Sequence, residues 1–354
     1  MTIPTEPVGS IPRDPALQKA MGDHASGSLA TEALEEMFDR AVQETLDRFA
    51  ATGSPVITDG EQTKPSFATY PLEGLGTLSP DGVVIAFEDG HTRQLPLLTE
   101  GPFQYQHLAG DYVERARRFT SLPIKQAVIA PSAMSLLYPQ SGIDGYSLEE
   151  FIGDVVDQAE ADIRSCFAAG ADSVQIDFTE GRLALKLDPS GGVLDQFIAL
   201  NNQVLGRFSA EERRRIGVHT CPGGDHDSTH SADVDYAGLI PRLLSLNAGR
   251  FFMQMASETD PERALRLVAE HLRPEQTAFI GVINVIDEAI ESPELVRDRV
   301  LQAAEHIPIA QLGTTDDCGF SPFGDDVATS RDTSFAKIAA RVEGTNLAAE
   351  QLGV

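Results

Sequence analysis

RIGVHTC, residues 215–221, is the stretch from which the rest of the chain is read. It is a short apolar run, too short for a helix, and it stops abruptly on a histidine and a cysteine. Six further runs have the same length and character: PVITDGE (55–61), IKQAVIAP (124–131), SVQIDF (173–178), RFFMQMA (250–256), AFIGVIN (278–284) and IAQLGTT (309–315). A first strand near Pro7–Ser10 brings the number to eight. Most are rich in Val, Ile or Phe, as parallel strands buried on both faces must be.

Helical patterns separate the runs. In SLEEFIGDVVDQAEADIRSCFAAG (147–170), Ile152, Val155, Val156, Ala159 and Ile163 lie on one helical stripe. Ser147 followed by Glu150 fits a capping box, and Gly170 is a stop signal. Similar helices are expected over 190–208, 235–247, 260–272, 293–306 and 330–347. Alternating strands and helices imply a parallel sheet, and eight units imply a closed (β/α)8 TIM barrel, with 1–354 as a single catalytic barrel. An open doubly wound sheet is the alternative. The N-terminal arm reads as irregular. Residues 71–122 break the repeat, and VVIAFEDGHTRQLPLL (83–98), with its DG turn, reads as a hairpin inserted after the second strand.

Composition narrows the partners. The chain has 54 acidic against 27 basic residues, a net charge of −27, which argues against nucleic acid or an anionic membrane. No apolar run reaches the roughly 18 residues that span a bilayer. MTIPTEPVGSIPRD has no basic region followed by an apolar stretch, so no signal peptide is expected. Three cysteines are too few for a disulfide framework in 354 residues. A cytoplasmic protein with reduced thiols is expected, and self-association into a homo-oligomer is left open.

The polar residues cluster where a barrel does chemistry. Asp59 and Glu61, Asp177, His219 and Cys221, and Cys318 all fall at the C-terminal ends of expected strands. His219 and Cys221, two apart in a strand, point the same way, and Cys318 comes from a later strand end. Imidazole with two thiolates suits zinc, and three protein ligands are the catalytic pattern. The rival reading is two ordinary buried thiols and a core histidine. Cys166, beside Phe167 in an amphipathic helix, is assigned to the core. The loop CPGGDHDSTHSADVDY (221–236) adds Asp225, His226, Asp227 and His230 above the proposed metal, either as part of a site or as a solvated acidic loop. Arg182 and Lys186 are available to an anionic group, or serve as counter-charges.

Five pieces carry a family resemblance: VGSIPRD (8–14), ITDGEQ (57–62), VQID (174–177), GVHTC (217–221) and DDCGF (316–320). In this order the chain resembles the C-terminal barrel of the cobalamin-independent methionine synthases, in the short single-barrel form. The resemblance implies that His219, Cys221 and Cys318 bind zinc, which holds a small-molecule thiol as thiolate for attack on an alkyl donor. It further implies that Ser10, Glu61 and Asp177 hold the amino-acid end of homocysteine. Asp59 and Asp317 are candidates for the shell around them. Three departures stand out. The family's fourth ligand, a glutamate, is Gln254 here, with Glu258 four residues on. The family's tryptophan platform is missing, and Tyr138 lies near the matching place. Ile286 stands where the family has a proton-transferring histidine. The expected activity is zinc-dependent transfer of an alkyl group, a methyl, to a thiol such as homocysteine. The alternatives are an epoxide-opening transferase that uses coenzyme M, and a zinc-binding barrel without catalysis.

Overall fold

The computed structural model describes residues 2–354. Its centre is a parallel sheet of six strands: β1 Lys125–Ile129, β2 Ser173–Asp177, β3 Ile216–Thr220, β4 Arg250–Met253, β5 Thr277–Ile283 and β6 Leu312–Asp316. Neighbours in sequence are neighbours in space throughout, from β1 to β6. Two extended segments close the ring. Thr5 bridges Thr314 of β6, and Ile57 bridges Ile124 beside β1, both in parallel. The two segments then join each other, with Ile11 donating to the Gly60 carbonyl at 3.0 Å and the Thr58 hydroxyl to Gly9 at 2.8 Å. The barrel expected from the sequence is therefore closed, but its first two positions are single bridges and not strands. Pro4, Pro7 and Pro55 account for this, since proline has no N–H to give a ladder.

The barrel interior is filled by stacked rings. Phe252 of β4 and Phe279 of β5 lie 4.6 Å apart, and the buried Lys125 ammonium sits 3.7 Å above Phe252. The strands beside them make room with glycine. A Cβ on Gly217 would lie 2.5 Å from Phe252, and one on Gly313 would lie 2.6 Å from Phe279. A methyl group at either place would push the central stack apart.

Helices cover the outside. Ser147 and Glu150 form the expected capping box at the head of Leu148–Ala168. The helices at Gly192–Leu205, Pro261–His271, Pro293–Ala304 and Arg331–Leu352 follow the expected spans. The helix expected over 235–247 is instead two short pieces, Tyr236–Gly238 and Ile240–Leu243, because Gly238 and Pro241 interrupt it. The arm read as irregular is helical over Pro15–Ala25 and Thr31–Ala51. Leu34, Phe38, Val42, Leu46 and Phe49 give the second of these a buried stripe. Val84–Ala86 pairs antiparallel with Thr92–Gln94, forming the hairpin around Asp89–Gly90 outside the barrel wall. No helix among the described residues is long and apolar enough to cross a membrane.

Candidate metal centre and thiol cavity

The barrel rim gathers the residues singled out in the sequence. His219 is the fourth residue of β3 and Cys221 follows its end, so strand alternation turns both toward the mouth. Cys318 follows β6 by two residues. Among the described residues these three form the one His/Cys/Asp/Glu group placed to hold a metal, with ligand atoms within 4.8 Å of one another. The two sulfurs are 3.0 Å apart and both thiols are free.

The surroundings of the trio fit a cation. His219 Nδ1 lies 3.3 Å from the Phe252 carbonyl, the position from which an Nδ1–H donates. Among the described residues the other ring nitrogen, Nε2, is buried with no well-formed hydrogen bond, the ring's neighbour on that side of the trio being Cys318. A metal-ligating histidine is arranged in this way, one nitrogen oriented by a carbonyl and the other left with its lone pair. Gly223 donates its N–H to Cys221 Sγ at 3.3 Å. The neighbouring Cys221 thiol and burial together push the Cys318 thiol well above its ordinary value. Bringing a divalent cation among these atoms reverses that direction. The set is thus a buried group able to bind a metal.

A cavity of about 60 Å³ opens beside the trio and is lined also by Ser10, Glu61 and Asp177. Residues from five distant segments thus meet in one place. Asp177 ends β2, its Oδ1 accepts from Gln175 at 2.8 Å, and burial pushes its carboxyl up to about 6. Ser10 Oγ accepts from the Ser321 N–H at 3.2 Å. Glu61 has φ 55°, a left-handed conformation that a glutamate holds only when its surroundings insist. The insistence comes from Arg13, which donates to the carbonyls of Glu61, Gln62 and Lys64. Asp59 braces the same turn, its Oδ1 accepting from the Glu61 N–H at 3.0 Å.

The remaining candidates fall into different roles. Gln254 Oε1 accepts from Arg182 at 3.1 Å and its amide donates to Ser257, while Glu258 is ion-paired with the same Arg182. Arg182 therefore occupies both residues considered for a fourth metal position. Lys186 pairs with Asp233 at 2.8 Å. Asp317 accepts from the N–H groups of Met255, Ala256 and Ser257, tying the end of β4 to the segment that carries Cys318. Tyr138 packs among Tyr146 and Phe151 and is not part of the cavity wall. His230 is in that wall, buried and pushed down to about 4, chiefly by burial, which keeps it neutral. His226 and Asp227 have φ 49° and 58° and form the turn between Gly224–Asp225 and Ser228–Thr229, so they shape the loop. Cys166 is buried in the core as expected.

Sequence reasoning passed over Arg93. From the hairpin it donates to Asp225 at 2.5 Å and, in a forked pair, to Asp325 at 2.8 and 3.0 Å. His91 adds a contact to Asp225 at 3.0 Å. Through Ile85, Phe87 and Arg93 the hairpin forms part of the cavity wall. Arg93→Ala is expected to raise deuterium uptake across 84–94 by about tenfold while β1 to β6 stay protected, since it cuts a charge-assisted anchor. Unchanged uptake in the hairpin would show that the anchor is dispensable.

A second cleft, of about 600 Å³, lies on the other side of the 222–237 loop and is lined by Arg182, Tyr236, Gln254, Glu258, Asn284 and Ile286. No histidine takes the place of Ile286 there.

The fold is shared with known proteins. The chain is 21% identical over 353 residues to the methionine synthase of Sulfurisphaera tokodaii, covering 99% of this chain and 94% of that one. It is 23% identical over 358 residues to the uncharacterized protein YxjH of Bacillus subtilis, covering 96% and 93%. A B12-independent methionine synthase from Shewanella sp. W3-18-1, solved in complex with selenomethionine, superposes with a TM-score of 0.78 at 20% identity over 99% of both chains. The sequence profile of the cobalamin-independent synthase catalytic domain matches residues 3–340, and the chain belongs to that family.

Proposed function

We propose that this protein transfers a methyl group to the thiol of homocysteine, with zinc held by His219, Cys221 and Cys318. The observation that carries the reading is His219 Nε2, without a well-formed hydrogen bond among the described residues, beside two free thiols at the wall of a cavity that also contains Ser10, Glu61 and Asp177. Zinc, when bound, supplies a Lewis acid that keeps a thiol deprotonated at neutral pH. The chain's own residues do the rest. Asp177 and Glu61 offer carboxylate acceptors to an ammonium, and Ser10 offers a hydroxyl. The substrate sulfur gives its electron pair to the methyl carbon as the donor's bond to that carbon breaks with its pair. The thiol proton leaves to solvent. The cleft of about 600 Å³ across the 222–237 loop is roomy enough for a second reactant. A cytoplasmic location is consistent with three unpaired cysteines.

The epoxide-opening alternative requires cations around the far end of a sulfonated thiol. The cavity wall presents Glu61 and Asp177 instead, with Arg93 committed to Asp225 and Asp325. The test is product formation by the zinc-loaded protein, supplied with homocysteine and, in turn, methylfolate and methylcobamide donors. Methionine is expected with at least one donor. Coenzyme M adding to an epoxide, with no methionine from either donor, would contradict the reading.

A further inference from the structure

Behind Glu61, out of contact with solvent, lies a cation that the proposed chemistry does not use. Lys64 is fully buried and donates to the Ala127 carbonyl at 2.7 Å and to Glu61 Oε1 at 3.2 Å. Its ammonium lies 4.6 Å from the centre of the Tyr70 ring and 5.5 Å from that of Tyr112. It does not line the cavity. Burial alone lowers a lysine, yet Glu61, Asp59 and Asp177 outweigh it and hold Lys64 protonated.

Three buried carboxylates, Asp59, Glu61 and Asp177, meet two buried cations, Lys64 and Arg13, at this end of the barrel. Asp59 keeps one oxygen, Oδ2, without a partner. Burial raises the Asp59 carboxyl, and Asp177 also faces His219 and Lys125. An uncompensated buried charge is costly, so Asp59 and Glu61 depend on Lys64 and Arg13 for compensation.

Resting on the homocysteine reading above, we propose that Lys64 is a positioning residue that sets the amino-thiol specificity of the cavity by supplying the counter-charge that the neighbouring Glu61 and Asp59 carboxylates share. Without Lys64, the two carboxylates share one buried turn with too little compensation. Like-charged neighbours in such a place take up a proton between them. The pair then offers an incoming ammonium less than its full charge, and the charge-assisted bond is weakened. A thiol without an amine makes no such bond and is indifferent to the change.

The test is calorimetric titration of zinc-loaded protein with L-homocysteine and with 4-sulfanylbutanoate, its counterpart lacking the amine. Lys64→Met is expected to weaken homocysteine about 10- to 100-fold and 4-sulfanylbutanoate less than about threefold. Adding Asp59→Asn to Lys64→Met removes the surplus carboxylate and is expected to restore homocysteine binding to within about threefold of the unmodified protein. A purely structural role for Lys64 would not be rescued this way, because asparagine at position 59 restores neither the ammonium's bond to the Ala127 carbonyl nor its contacts with Tyr70 and Tyr112. Should Lys64→Met fail to fold, the double variant is compared with the unmodified protein directly. Loss of discrimination in that variant overturns the inference, and retained discrimination supports it. An unmodified protein that discriminates, with a Lys64→Met variant that discriminates as well, overturns the Lys64 assignment alone. An unmodified protein that binds both thiols equally overturns the homocysteine reading itself.

Discussion

Replacing Cys221 by serine is expected to lower bound zinc at equimolar metal by more than about tenfold, and to abolish transfer to the thiol. A serine hydroxyl is seldom deprotonated at neutral pH and is a hard, weak ligand for a borderline-soft ion. Even changes in the residues that orient metal ligands typically cost about 10- to 100-fold in affinity, so loss of a ligand sulfur should cost at least as much. Cys221 is fully buried and its Sγ lies 3.0 Å from Cys318, so a solvent molecule has little room to substitute. Cys166→Ser should leave metal content unchanged, since that thiol is buried in the core away from the trio. Metal analysis after dialysis checks both. Stoichiometric zinc in the Cys221 variant would show that the metal sits elsewhere.

The second large effect concerns the far end of the substrate. Asp177→Asn is expected to weaken homocysteine by tens- to thousands-fold, and to leave a thiol without an amine almost unaffected. Losing one partner of a buried, charge-assisted hydrogen bond costs about 2–5 kcal/mol. Asp177 is 6% exposed, and among the described residues only Gln175 donates to its carboxylate, at 2.8 Å. The amine-free thiol loses nothing when the carboxylate becomes an amide, and gains slightly if an unpaired charge is removed. Dissociation constants for the two thiols on the two proteins are sufficient. Equal losses for both would assign Asp177 to holding the rim together.

The barrel and its metal trio were legible because each depends on short-range rules. A buried parallel strand shows itself as an apolar run, and HxC in a strand places both side chains on one face whatever surrounds it. Cys318 could be joined to them because a closed barrel brings its strand ends to one rim. What the sequence left out is set by contacts across the fold. Arg93 is an unremarkable cation in a hairpin until Asp225 and Asp325, more than 130 residues away, fold against it. Lys64 follows ITDGEQ closely, but nothing in its spacing says that its ammonium turns back to Glu61. The fate of Gln254 and Glu258 depended on Arg182, which sequence order places some 70 residues earlier. The helices of the N-terminal arm are a different case. Leu34, Phe38, Val42 and Leu46 recur every four residues, so the signal was present on the page. The two bridge-only barrel positions were concealed by prolines, whose missing donors matter only once a partner strand is in place.

The proposed function requires the His219–Cys221–Cys318 group to be a working metal centre that takes a thiol substrate. Zinc-edge X-ray absorption of the zinc-loaded protein, recorded with and without homocysteine, tests it most directly. Two sulfur neighbours are expected from the protein alone and three when homocysteine is added. A count that stays at two, while calorimetry shows homocysteine bound, would contradict it and leave the metal a structural role.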